Sequence, residues 1–425
     1  MTIILELSPL VKQLKEYSQT KKLPTKQMEK LFQKNIVDVL SRATTIIDDQ
    51  HVFIATGDIP AMWLRDATFQ VLPYIELLDN INGLDELIKG TLRQELKYVQ
   101  IDPYANAFNL SASGAHWSDD DTDIPVSDWV WERKFEVDSL CAPIFLAVKY
   151  FEASGDNTVW DESFWKTLRI IINVFQKEQN HEKSSYYFNR VNCPPSDSLS
   201  RDGRGTKVSY TGMIWNGFRP SDDACKYGYL VPSNMFAVSV LRSVRKYIPI
   251  DKNSLRSDID QMILEIQAGI KKYAIKSLPS GELGFAYEVD GLGHANFMDD
   301  ANVPSLLSLP FLGYINESDE LYKQTQRFIL SDKNPYFYSG KVLSGIGSAH
   351  TPEKYVWPIS IAMQGLISQS KSVQAAQAQM IAMTTDGTEQ SHEGIHIDDP
   401  HQYTREWFSW SNMTYIQLIL KWLIH

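Results

Sequence analysis

The sequence predicts an all-α protein arranged as a toroid of six helical hairpins. Three observations carry this. Helical periodicity runs through nearly the whole chain, strand signals are short and few, and six polar, aromatic-rich motifs each precede a helix-length apolar pattern. Apolar residues recur at three- and four-residue spacing, as in LCAPIFLAVKYF from Leu140 to Phe151. Helices are expected at roughly 26–43, 66–79, 84–100, 136–153, 160–178, 232–247, 253–277, 318–330, 356–369, 371–385 and 407–424, with shorter pieces near 8–18 and 303–313. Gly155 in EASGD fits a helix C-cap. Only YYFNRV and LGFAYEV read as strands. No Pro/Gly/Ser-rich linker or low-complexity tract interrupts the 425 residues, so a single domain over 1–425 is expected.

The six motifs set the ring. GDIPAMWLRD precedes the helix near 66, VWERKFEVD the one near 136, and NGFRPSDDACKYGY the one near 232. GHANFMDDANVPS precedes 303, GSAHTPEKYVWP precedes 356, and SHEGIHIDDPHQYTREW precedes 407. A further helix lies between most successive pairs. Alternate helices would then form an inner ring, and the loops entering them would meet at one mouth. Helix N-termini there present free N–H groups and positive partial charge, which favour carboxylates and hydroxyl oxygens. No fixed repeat of about 20–50 residues supports a solenoid instead.

Composition narrows the partners. With 43% hydrophobic and 22% charged residues the chain is an ordinary soluble globular protein. A net charge of −11 repels nucleic acid and anionic membranes and suits a neutral substrate. Three cysteines, Cys141, Cys193 and Cys225, are too few and too odd for a disulfide framework and point to a reducing compartment. The opening stretch MTIILELSPLVKQLKEYSQTKK lacks the basic-then-apolar order of a signal peptide. No apolar run approaches the ~20 residues of a membrane span. A cytoplasmic location is expected. The 11 tryptophans suit both a large core and the flat apolar faces of sugars.

HEGIH, His392 to His396, matches the zinc-protease pattern. Zinc would need both histidines on one helix face, yet Gly387 and turn formers stand upstream, Gly394 lies inside, and Pro400 follows. A zinc helix is therefore not expected. The acidic run from Ser118 to Asp123 lacks the Gly and Glu of a calcium loop. No P-loop, dinucleotide fingerprint or serine nucleophile elbow is present, and no histidine stands near Cys225. What recurs in the six motifs is carboxylate, Arg and Trp. Glycoside hydrolysis uses that kit: two carboxyl groups flanking one bond, with planar and charged groups holding hydroxyls.

GDIPAMWLRDATFQVLPY, WERKFEVDSLCAPI, GFRPSDDACKYGYLVPSNMFA, GIGSAHTPEKYVWPI and HEGIHIDDPHQYTREWFSWSN occur in order from Gly57 to the C-terminus. Together they resemble glycoside hydrolase family 125, bacterial and fungal exo-acting α-1,6-mannosidases. The resemblance implies an (α/α)6 barrel, inversion of configuration, no metal and no cofactor, and a mannose-containing oligosaccharide as substrate. It places the general acid in RPSDDA, at Asp222 with Asp223 as the close alternative. It places the general base at Glu393 in HEG, with Glu406 in TREWF as a weaker candidate. A neighbouring carboxylate would raise the acid's proton affinity by charge repulsion, whereas Arg219 would oppose it unless its guanidinium faces Asp223 or the substrate.

The remaining motif residues form the expected sugar cradle. Trp63, Arg65 and Asp66 offer an indole face and a fork-and-acceptor pair for hydroxyls, although Arg65 and Asp66 also suit a helix-start ion pair. Trp131, Glu132 and Arg133 are similar. His294, Asn296 and Asp299 reach hydroxyls, or Asp299 and Asp300 cap the next helix. His350, Thr351 and Trp357 fit a first or second sugar, and Arg405 orients Glu393 or binds substrate. Two rivals keep the barrel: a glycan phosphorylase, which needs an anion pocket in place of the base, and a non-catalytic glycan-binding protein. Retention of both carboxylate motifs argues against each.

Overall fold

The computed structural model describes residues 5–424. The first four residues of the stretch read for a targeting signal lie outside them. Among the described residues the structure is helix-rich, with 13 α-helices and 46% of residues helical when the short 3-10 and π turns are included, and between them run short antiparallel strands that the sequence reading largely missed. It forms two compact units. A terminal unit takes Met1–Glu95, Lys149–Val159 and Tyr336–His425, and a middle unit takes Leu96–Val148 and Trp160–Pro335. The division falls within the helices Leu84–Ile101 and Val137–Ser154.

In the terminal unit, helix Pro358–Ile367 packs against Lys371–Ala382 and Ser409–Ile424, and Ser409–Ile424 packs on Leu64–Val71 and Lys26–Asn35. Pro358 at the first helical turn lacks an N–H that would have no partner there. The Ser370 and Thr25 side chains cap the helices that follow them. Tyr355–Val356, Gly394–His396 and Asp399–Thr404 form an antiparallel ribbon, with Val356 opposite Ile395 and Gly394 opposite Thr404. In the middle unit, Asn253–Gly269 packs on Val231–Val244 and on Glu162–Glu178. Glu162–Glu178 starts at Asp161, whose carboxylate accepts from Phe164 N at 2.8 Å. It buries Phe164, Leu168, Ile171, Ile172 and Phe175 along one stripe, each worth about 1.5–3 kcal/mol.

Five of the six motifs lead into an α-helix. The sixth does not: residues 303–313 form turns rather than the expected helix. Pro304 and Pro310 remove two N–H donors. Ser305 and Ser308 bond each other's backbone, with Oγ–N distances of 2.8 and 3.1 Å, in place of a helical ladder. The expected helix at 253–277 also ends early, because Ile275–Ser277 is a strand paired with Leu283–Phe285. Among the described residues, no helix is long and apolar enough to cross a membrane.

Candidate active site

In the terminal unit, Glu393 sits where the HEGIH segment enters the strand Gly394–His396. The segment is anchored from both sides. Ser391 N donates to Asn412 Oδ1 at 2.9 Å, tying it to the helix Ser409–Ile424, and Glu393 N bonds Thr404 O at 3.3 Å across the ribbon. Glu393 is 5% exposed, and its Oε1 lies 3.6 Å from Arg405 Nη1. Arg405 also bonds Asp58 of the GDIP motif and stacks over Phe408. Burial works against the Arg405 charge, but Asp58, Glu393 and Asp66 together hold its pKa above the ordinary arginine value.

The other terminal-unit candidates are placed as follows. Arg65 and Asp66 open the helix Leu64–Val71, are buried, and pair with each other at 3.1 Å, with Arg65 over the Trp410 ring. Trp63 is buried, and its indole N–H has no hydrogen-bond partner among the described residues. Trp357 Nε1 donates to Thr351 Oγ1 at 2.9 Å, and the Trp357 indole meets the edge of Phe408. Gly394 lies against this indole: a Cβ there would sit 3.5 Å from Trp357. His350 is exposed, with its ring 6.4 Å from Trp357. Glu406 is exposed, in contrast to Glu393.

His392 is a buried structural residue rather than a ligand. Its Nδ1 faces Glu406 O at 2.9 Å, its Nε2 faces Thr385 O and Thr388 Oγ1 at 3.2 Å, and its ring stacks on Tyr403 with centroids 3.9 Å apart. His396 lies on a strand, so the two histidines do not share a helix face.

In the middle unit, Asp222 forms the tip of a tight hairpin. Phe218 bridges Ala224, Asp222 N bonds Arg219 O at 2.9 Å, and Arg219 N bonds Asp223 O at 2.7 Å. Asp222 has φ 70°, the left-handed region that a non-glycine residue keeps only when its surroundings enforce it. Arg405 and His392 also have positive φ, so backbone strain gathers at both carboxylate motifs. The Asp222 carboxyl accepts from Asn106 Nδ2 at 3.4 Å, and the same amide nitrogen stands 3.3 Å from Glu132 Oε2 and 3.4 Å from Glu136 Oε1. Lys134 Nζ donates to the Asp222 carbonyl at 3.0 Å and pairs with Asp197. Arg190 reaches Asp120, Glu132 and Asp197. Burial raises the Glu132 pKa, Lys134 and Arg190 oppose the rise, and Asp222 adds to it. Asp223 is 4% exposed, so Asp222 is the more accessible of the pair.

Several middle-unit candidates have neighbours that sequence reading did not foresee. Arg219 Nε donates to Glu288 Oε1 at 2.6 Å, and Asn296 Nδ2 donates to Glu288 Oε2 at 3.1 Å, so one fully buried glutamate gathers both. Glu288 lies opposite Asn296 because its strand pairs with Ala295–Asn296, and on its other edge that strand pairs with Tyr229–Leu230. His294 is largely exposed, bonded to Asp290 at 2.6 Å and stacked near Tyr227. Asp299 is fully buried, and its two oxygens accept from Leu306 N and Leu307 N. This is a capping geometry, made on a turn where a helix was expected. Arg133 is buried between Asp102 at 2.6 Å and Asp123 at 2.5 Å. Trp131 lines a cleft of about 330 Å³ with His116, Asp128 and Glu132, and its buried indole N–H has no partner among the described residues.

Asn106, Lys134, Asp58 and Glu288 escaped the sequence reading. Lys134 and Asp58 stand inside quoted motifs, which was the available signal. Asn106 stands in no quoted stretch, and Glu288 only in LGFAYEV, which was read as a strand. Each unit carries buried carboxylates beside arginine or lysine, the residue types that acid–base glycoside hydrolysis uses.

The comparisons narrow that class. A family profile described as metal-independent alpha-mannosidase (GH125) matches residues 25–420, and the chain belongs to this family. It is 41% identical to a Streptococcus pneumoniae metal-independent α-mannosidase solved in a non-productive substrate complex with α-1,6-mannobiose. The TM-score is 0.91, covering 99% of this chain and 97% of that one. It is also 35% identical over 388 residues to the meiotically up-regulated gene 157 protein of Schizosaccharomyces pombe, covering 86% of this chain and 76% of that protein. A solved glycosidase with 11% identity and a TM-score of 0.52, covering 92% of this chain and 96% of that one, shares the fold alone. The protein is thus a metal-independent α-mannosidase and a glycoside hydrolase.

Proposed function

We propose that the protein is an inverting exo-α-1,6-mannosidase that releases terminal non-reducing mannose from glycans. Residues 1–425 act as one catalytic body whose helices close as an (α/α)6 barrel. The observation that carries the linkage is the α-1,6-mannobiose complex of the S. pneumoniae relative, which is similar over nearly the whole chain. Asp222 gives its carboxyl proton to the glycosidic oxygen as the C1–O bond breaks. Glu393 takes a proton from a water whose oxygen bonds C1 from the opposite face. Solvent then reprotonates Asp222 and deprotonates Glu393, so glycoside and water yield β-mannose and a shortened glycan. Such a single displacement needs the two carboxyl groups about 6.5–9.5 Å apart, to admit the water.

The remaining roles follow from the surroundings described above. Arg405, its Nη1 3.6 Å from Glu393 Oε1, aims that carboxylate, as a general base requires. The free indole N–H groups of Trp63 and Trp131 are donors for sugar hydroxyls, with Arg65, Asp66, Asn296, Thr351 and Trp357 completing the cradle. Three unpaired cysteines support work in a reducing compartment, the cytoplasm.

A proton NMR time course on α-1,6-mannobiose tests the reading. The expected first product is β-mannose, followed by slow mutarotation. An initial α-anomer excludes inversion, and no turnover excludes the linkage.

A further inference from the structure

The hairpin that carries Asp222 is held in a strained shape by a buried lysine. Asp222 keeps φ 70°, a left-handed conformation that an L-residue adopts only where its surroundings favour it. Relaxing it would re-aim the side chain. Backbone bonds hold the hairpin internally, and Ala224 N bonds Ser196 O at 2.7 Å in the neighbouring turn Pro195–Asp197. The remaining brace is Lys134. It is 1% exposed, its Nζ donates to the Asp222 carbonyl at 3.0 Å, it pairs with Asp197, and it lies 3.6 Å from Glu132 Oε1. Burial works against this ammonium, but Glu132, Asp222 and Asp197 around it hold its pKa well above the ordinary lysine value. Its own backbone N–H bonds Asn106 Oδ1 at 3.2 Å, and the Nδ2 of that same asparagine faces the Asp222 carboxyl. One lysine thus grips the backbone of Asp222, and through Asn106 it shares the group that faces the side chain.

The Lys134 ammonium hydrogen-bonds the Asp222 carbonyl rather than the carboxyl. A lysine bonded directly to the carboxyl would favour its ionised form, which is the wrong form for a general acid. The bond to the carbonyl holds the backbone, while Asn106 Nδ2 faces the carboxyl. We propose that Lys134 is a positioning residue for the general acid, bracing the left-handed backbone at Asp222 so that its carboxyl points at the leaving-group oxygen. The proposal rests on the assignment of Asp222 as acid.

The test uses two substrates for the full-length enzyme. Hydrolysis of α-1,6-mannobiose needs protonation of the leaving oxygen, whereas a 2,4-dinitrophenyl α-mannoside departs without it. Lys134→Met is expected to lower kcat on mannobiose about 100-fold, the usual consequence of a misplaced catalytic group, and to change kcat on the activated mannoside by less than about threefold. Asp222→Asn should show the same split more strongly. Equal loss on both substrates in folded Lys134→Met protein overturns the proposal and leaves Lys134 a structural residue. If Asp222→Asn itself shows no split, the acid assignment has failed and the proposal falls with it. If Lys134→Met does not fold, Asp197→Asn removes one partner of the ammonium from a more exposed turn. The same split, about tenfold, is then expected, and its absence overturns the proposal.

Discussion

The two carboxylate motifs hold their side chains in place by different means. Glu393 follows a buried histidine and enters a strand, where ladder and helix-side hydrogen bonds set its direction, and a single arginine shared with Asp58 faces its carboxylate. Asp222 has no ladder beyond a tight hairpin. Its direction comes from a packed ionic group of Lys134, Glu132, Arg190 and Asp197, together with Asn106. The difference fits the proposed chemistry. A base must stay ionised, so a cation beside its carboxylate helps. At Asp222 the neutral Asn106 amide faces the carboxyl, and the hydrogen bond of Lys134 goes to the backbone carbonyl.

The largest effect should come from the base. Glu393→Gln is expected to lower kcat by about 10⁴ on both α-1,6-mannobiose and a dinitrophenyl mannoside, because attack by water needs the base whatever the leaving group. Retention of full activity would remove Glu393 from the mechanism. Arg405→Ala tests the cation beside it. A fall in kcat of about 10- to 100-fold with little change in KM marks an aiming role, whereas a rise in KM alone would make Arg405 a substrate contact.

The acid side should break first in stability. Arg133→Met strips Asp102 and Asp123 of a buried partner, and about 3–5 kcal/mol of unfolding free energy should be lost in a urea titration. An unchanged midpoint would mean that water reaches both carboxylates.

The smallest effect concerns His392. Burial holds its pKa below the ordinary 6.5. As pH falls, the unfolded chain therefore takes up this proton before the folded one does. The contribution to stability is fully present above the unfolded value and fades below it. His392→Gln should flatten the slope of stability between about pH 7 and 5, and an unaltered slope would show that His392 titrates alike in both states.

The helices were legible because their signal is local. Periodic Phe, Leu and Ile with Asp161 or Ser370 at the start state a helix within a single window. The turn at 303–313 was read as a helix because its apolar spacing is helical. The competing serine–backbone bonds and the Asp299 cap depend on an exact approach that spacing does not encode. At the carboxylate motifs the residue types were legible and their partners were not. Arg219 meets Glu288 across 69 positions and Lys134 meets Asp222 across 88, distances at which no local pattern operates.

HEGIH shows the same limit from the other side. Gly394 and Pro400 were enough to discount a zinc helix, but not to show that His392 is clamped by Thr385, Thr388, Glu406 and Tyr403. The sequence by itself determined the helix-rich class, the family and the carboxylate motifs, because periodicity and long motifs are written in consecutive residues. Tertiary structure alone decided which cation faces which carboxylate and which backbone is forced left-handed. Those are pairings between distant segments, and they exist only after the core has packed.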